Sequence, residues 1–175
     1  MKNALILLVI CALLVGCRDT TPFESPSSTS LDDLSLAGAP VPRPFKGTWT
    51  TTFTPPGPGI EGCDGNADTG VFIIYGVGTA THLGKSTFVQ ESESDFVTQC
   101  GRAVTTAANG DQFEFDFSGT VSPPDADLNI TFSGDWTATG GTGRFSNAQG
   151  SGTYGGKASV IAGNGKVSLI GTLIY

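Results

Sequence analysis

From Phe45 to the end of the chain, apolar and polar residues alternate. Phe45, Gly47, Trp49, Thr51 and Phe53 stand against Lys46, Thr48, Thr50 and Thr52, and Phe113, Phe115 and Phe117 against Gln112, Glu114 and Asp116. Leu128, Ile130, Phe132, Gly134, Trp136 and Ala138 stand likewise against Asn129, Thr131, Ser133, Asp135 and Thr137. A period of two puts successive side chains on opposite faces, so each segment reads as a strand with one dry and one wet face, as in antiparallel sheets. Turn signals separate the segments: Asn109-Gly110, Asn164-Gly165, SPPDAD at Ser122 to Asp127 and PPGPG at Pro55 to Gly59. Eight strands are predicted, near 45–54, 70–82, 86–97, 102–108, 112–121, 128–138, 149–161 and 166–175.

No amphipathic helix is available to cover the dry faces. The sheet must therefore cover itself, by closing into a barrel or by stacking as a sandwich. Eight antiparallel strands joined mostly by short turns predict an all-β, up-and-down barrel over residues 45–175. Its interior is just large enough for packed side chains or one small ligand. Composition points the same way: charged residues are only 14% of the chain while glycine reaches 25 copies, which disfavours helices and favours short strands and tight turns.

The glycines concentrate in GGTGRFSNAQGSG, Gly140 to Gly152. A P-loop needs G-x-x-x-x-G-K-[ST] between a strand and a helix, and a dinucleotide site needs G-x-G-x-x-G in a parallel βαβ unit. Here Ser146 stands where the third glycine belongs, no helical segment follows, and the neighbours are antiparallel strands, so no phosphate site is expected. Gly140 and Gly141 are expected to take positive φ and turn the chain after the sixth strand. Gly150 and Gly152 are expected to let the next strand bend tightly against a neighbour.

The same stretch resembles the signature shared by plant dirigent proteins and allene oxide cyclases, with Gly140, Gly141, Gly143, Phe145, Ala148 and Gly150 matching. The resemblance implies an eight-stranded antiparallel barrel around an apolar cavity, with the glycine-rich corner placing its Phe as a plug. GTATHLGKSTF, Gly78 to Phe88, is similar to a stretch recurring in bacterial secreted proteins of unknown activity with the same corner. No motif places the cyclases' catalytic residues on this chain, so no catalytic residue and no cofactor is expected.

The N-terminus speaks to location. MKNALILLVICALLVGC has a basic residue at Lys2, an uncharged apolar run from Ala4 to Val15 and a close on Leu14, Val15, Gly16 and Cys17. The run is too short to span a bilayer stably and has the layout of a secretory signal. Its last four residues look like a bacterial lipobox, in which Cys17 receives a diacylglycerol on sulfur and becomes the first mature residue. Several acyl chains give durable anchoring where one gives marginal binding. Arg18 follows where some lipoproteins carry an Asp that holds them at the inner membrane, so the expectation is the outer membrane or cell surface. Residues 1–16 are thus read as signal peptide and 17–44, rich in Ser, Thr and Pro, as a flexible, disordered tether. Of the remaining cysteines Cys11 lies in the signal, which leaves Cys63 and Cys100 as a disulfide pair in an oxidising compartment. Such a loop closure contributes about 3–4 kcal/mol on the chain-entropy account.

Charge narrows the partners. The formal net charge of −7, with nine scattered Lys and Arg, argues against nucleic acid, which needs clustered cations. His82, the only histidine, is a general-base candidate by its pKa, but no nucleophile elbow accompanies it. Asp64, Asn66 and Asp68 begin like a calcium loop, yet Thr69 and Tyr75 occupy the positions that need Gly and Glu, which excludes an EF-hand and leaves an Asx-rich turn. Two cysteines and one histidine make no zinc site, and no metal is expected. Asn129-Ile-Thr131 has the form of a glycosylation sequon set inside a strand.

The reading favoured by the sequence is an envelope lipoprotein whose barrel binds a small apolar ligand, lined by Trp49, Phe115 and Trp136. Two alternatives stand beside it: a structural or protein-interaction module with a solid core, in which those aromatics fill the interior, and a cofactor-free isomerase or cyclase. The sequence leaves the oligomeric state open.

Overall fold

The computed structural model describes residues 41–54, 57–58 and 70–175. Its strands are β1 Arg43–Phe53, β2 Gly57–Pro58, β3 Gly70–Ala80, β4 Gly84–Ser94, β5 Thr98–Ala107, β6 Gln112–Val121, β7 Asn129–Gly141, β8 Gln149–Ser159 and β9 Asn164–Ile174. Every neighbouring pair is antiparallel, and the order β1-β9-β8-β7-β6-β5-β4-β3 returns on itself because β1 also pairs with β3. Thr51 of β1, for example, faces Gly165 of β9 on one side and Gly76 of β3 on the other. The long strands thus form a closed eight-stranded up-and-down barrel, as the alternation predicts, and the two-residue β2 adds to the start of β3.

Three local features differ from the sequence reading. Gly140 (φ 121°) and Gly141 (φ 149°) have positive φ, but they do not turn the chain. They extend β7 past a bulge, because Phe115 pairs with Ala138 while Glu114 pairs with Gly140, leaving Thr139 as the extra residue. The turn is the short 3-10 segment Gly143–Phe145. Asn164-Gly165 is no turn either: Gly163 (φ 61°) takes the left-handed position and Asn164 already pairs with Ser159. Finally, β5 begins at Thr98 because Asp95 captures the chain first, its Oδ1 accepting hydrogen bonds from the backbone N–H of Val97 (2.8 Å) and Thr98 (2.6 Å).

At the end of the barrel where β1 begins, the interior is solid. Phe113 packs against Phe45 (5.3 Å between centroids), Phe115 (5.4 Å), Trp136 (5.9 Å) and Phe145 (6.0 Å). The contacts with Phe45 and Trp136 are edge-to-face, the geometry that ring quadrupoles favour. Phe145, fully buried, closes this end, and its turn is tied down by the ion pair of Arg144 with Asp111 at 3.2 Å. The indole N–H groups are satisfied: Trp49 Nε1 donates to Ser86 Oγ at 3.0 Å and Trp136 Nε1 to the Ile170 carbonyl at 3.3 Å.

Inward-facing glycines make room for these rings. A Cβ on Gly47 would collide with the Trp49 indole, and one on Gly171 would lie 2.6 Å from Trp136 Cζ2. Large side chains on one strand thus lie over bare backbone, the small-against-large filling that a narrow barrel needs. Gly171→Ala is therefore expected to destabilise the barrel by about 1–3 kcal/mol through overpacking. Urea unfolding should show a lower midpoint with an unchanged slope, whereas the exposed Thr172→Ala should stay within about 0.5 kcal/mol of the parent. Equal midpoints for Gly171→Ala and the parent would contradict the packing described.

Candidate functional site

The other end of the barrel is built differently. Here the β4–β5, β6–β7 and β8–β9 hairpins turn, and the interior holds two adjoining cavities, an outer one of about 70 Å³ and an inner one of about 40 Å³. Phe53, Ile74, Gln99, Phe132 and Ala158 line both. Phe72, Phe96, Val121, Ile130 and Val160 complete the apolar wall of the outer cavity, and Val167 lies against the inner one. Phe72 holds its place edge-on between Phe53 (6.2 Å) and Phe96 (5.8 Å).

The rim is unusually apolar for a set of turns. Phe96 (44% exposed) and Val97 (65%) sit on the β4–β5 turn, Leu128 (44%) before β7, and Val160 (38%) and Ile161 (75%) on the β8–β9 turn. Phe96 (φ 65°) and Leu128 (φ 57°) are held in the left-handed region, which is strained for side chains of this size and is found where the surroundings over-determine it. The surroundings here are carboxylate caps. Asp95 gathers the N–H groups after Phe96, and Asp125 Oδ1 accepts from the backbone N–H of Asp127 (2.9 Å) and Asn129 (2.8 Å). Both carboxyls are held below the ordinary range, chiefly by the backbone N–H of Thr98 for Asp95 and that of Asn129 for Asp125.

Polar groups reach the interior from β4 and β5. Gln90, Ser92, Ser94 and Gln99 are all buried and all border the cavities. Gln99 Nε2 donates to Tyr154 Oη at 2.8 Å. Burial pushes the Tyr154 phenol up to about 12, against the Gln99 hydrogen bond, which lowers it, and with the Asp135 carboxylate adding to the rise. None of the described residues lining the two cavities is an acid, a base or a thiol. The arrangement can bind and orient a neutral group; it brings no proton-transfer pair to one.

The residues singled out from sequence fall in several places. Trp49, Phe115 and Trp136 are brought together in the solid aromatic core, with Phe115 and Trp136 rings 5.9 Å apart, and none of the three lines either cavity. His82 sits at the closed end, its Nε2 3.0 Å from the Pro44 carbonyl oxygen and its ring 5.5 Å from that of Tyr175. Cys100 stands on β5 opposite Glu93 and Ser118, on the register that faces away from the barrel interior. Cys17, Cys63 and the Asp64 to Asp68 run lie outside the described residues. Asn129 opens β7 rather than lying inside it, with its Nδ2 3.3 Å from Asp125 Oδ1. Among the described residues no cluster of His, Cys, Asp or Glu could hold a metal. Compared with models of protein families, with curated proteins and with solved structures, the chain matches none.

Burial of the Tyr154 phenol makes the site's stability pH-dependent in a definite direction. An unfolded tyrosine ionises near 10, while the folded one keeps its proton to about 12. The phenol's contribution is therefore complete below pH 10 and lost as pH rises from 10 to 12, where the unfolded chain binds fewer protons. Tyr154→Phe should cost about 1–3 kcal/mol at pH 8 by leaving Gln99 unpaired. In denaturant titrations this deficit should shrink steadily above pH 10, and a deficit constant to pH 12 would contradict the burial of the phenol.

Proposed function

We propose that the chain is a lipid-anchored bacterial envelope protein whose barrel is a binding module, taking an apolar group of its ligand into the mouth between the β4–β5, β6–β7 and β8–β9 turns. The observation that carries the reading is the pair of adjoining cavities, the outer one lined by exposed Phe96 and Val160, at the end of the barrel whose turns also expose Val97, Leu128 and Ile161. Soluble surfaces seldom cluster large apolar side chains on consecutive turns unless something covers them. The outer cavity of about 70 Å³ is far below the 300–1,000 Å³ or so that encloses a whole drug-sized molecule. What enters is therefore a short chain or ring, with the rest of the ligand left on the rim.

The remaining parts of the proposal come from the sequence. Cys17 carries the lipid and anchors the protein to the outer membrane or cell surface. A Cys63–Cys100 disulfide braces the outer wall of β5. The glycine-rich corner and its buried Phe145 support kinship with the dirigent and allene oxide cyclase barrels. That kinship supplies no chemistry for the cavity, whose walls favour binding over catalysis.

Native mass spectrometry of the protein purified from the envelope tests this reading. The expected result is extra mass that leaves on denaturation, together with a covalent lipid mass that Cys17→Ser removes. Ala158→Leu, which places a larger apolar side chain where both cavities meet, should release the bound species while leaving the lipid in place. A clean apo mass at every charge state would overturn the binding reading and leave the rim as a surface for protein contacts.

A further inference from the structure

The buried polar side chains divide into two groups. Ser86 holds the Trp49 indole, Ser94 Oγ donates to the Thr98 carbonyl at 2.9 Å, Gln99 holds Tyr154, and Thr105 Oγ1 donates to the Phe113 carbonyl at 3.2 Å. Each of these is explained by the fold. Thr51 (5% exposed), Gln90 (8%) and Ser92 (2%) are buried just as deeply, yet their side chains make no hydrogen bond among the described residues. No side-chain polar atom fully sealed from solvent lacks a partner. The free groups of these three must therefore face the cavities, which all three line: Thr51 and Gln90 the inner one and Ser92 the outer.

Resting on the binding reading above, we infer that the cavity is selective for an uncharged amphiphile that enters polar end first, its carbonyl or hydroxyl on Gln90, Ser92 and Thr51 and its hydrocarbon on the aromatic rim. Two of these polar groups line the inner chamber and one the outer, and none has a protein partner, so a ligand supplying a donor or acceptor gains hydrogen bonds there. The amide of Gln90 offers both a donor and an acceptor, and the hydroxyls of Ser92 and Thr51 can serve as either, so a ketone, an alcohol or an amide can be satisfied. A charged head cannot. None of the buried described residues is an Asp, Glu, His, Lys or Arg, and an ion moved there without a counter-charge is strongly disfavoured. The polarity gradient fixes the orientation, because the inner chamber holds Thr51 and Gln90 while the rim holds Phe96, Leu128 and Val160.

The test uses the whole chain labelled at its Ile and Val methyl groups, titrated separately with hexane, 2-hexanone and hexanoate at pH 7. Expected are shifts of the Ile74, Ile130 and Val160 methyls with 2-hexanone at about tenfold lower concentration than with hexane, the worth of one neutral hydrogen bond, and no shift with hexanoate. Gln90→Met should bring 2-hexanone to the level of hexane without weakening hexane itself. Should that variant fail to fold, Ser92→Ala carries the same comparison, with a smaller loss expected for the ketone alone. Equal binding of hexane and 2-hexanone, as when water alone satisfies the three groups, or tightest binding of hexanoate, would overturn the inference and leave apolar binding standing. Absence of any methyl shift with all three probes would overturn both.

Discussion

Everything in this barrel depends on β1 being paired along both edges. A sheet with no helix to cover it has one dry face and two open edges, and each is a liability in water. Pairing β1 with β9 from Arg43 to Thr52 and with β3 from Gly47 to Phe53 removes both edges at once and turns the dry face into an interior. Closure also sets the diameter. Eight strands leave a bore that side chains can fill, so the choice of inward residue at each level decides whether that level is core or cavity.

The chain makes opposite choices at the two ends. Near the start of β1 it sets aromatic rings over glycine, as with Trp49 over Gly47 and Trp136 over Gly171, and the bore is packed solid. Toward the three hairpin turns it sets Gln90, Ser92 and Ser94 inward on β4, and these do not fill the space opposite Phe53 and Phe132. The first end supplies the stability that the second gives up. Buried polar side chains with no protein partner and strained Phe96 and Leu128 lie at the open end, beside the exposed apolar residues of its turns. Natural proteins concentrate such departures from local consistency where they bind something.

Much of the fold was legible because the signal for it is redundant. Period-two alternation, Asn109-Gly110 and the SPPDAD loop each announce the same strands, and all eight long strands are present, with the β4–β5 turn falling earlier than the expected 86–97 and 102–108. The errors were local. Gly140 and Gly141 looked like a turn, but a bulge uses positive φ as readily as a turn does; Gly163 displaced Asn164-Gly165 because a one-residue change in loop placement costs the ladder little. The cavity was harder to read. Aromatic residues were the natural candidates for a ligand wall, and Trp49, Phe115 and Trp136 do face inward, but which level of a bore is full depends on the glycines of neighbouring strands and hence on register. The usable signal was in STFVQESES, where the inward positions after Phe88 carry Gln90, Ser92 and Ser94: an unbroken run of polar residues at inward positions marks the level that is not packed.

The division of one bore into a solid half and a hollow, polar-floored half is the claim on which the functional reading stands, and diffraction from crystals pressurised with xenon tests it most directly. Xenon enters apolar cavities and not filled cores. A xenon atom is expected between Phe53, Phe72 and Phe132, with none among Trp49, Phe115 and Trp136. An empty map at the first place, or density at the second, would contradict it.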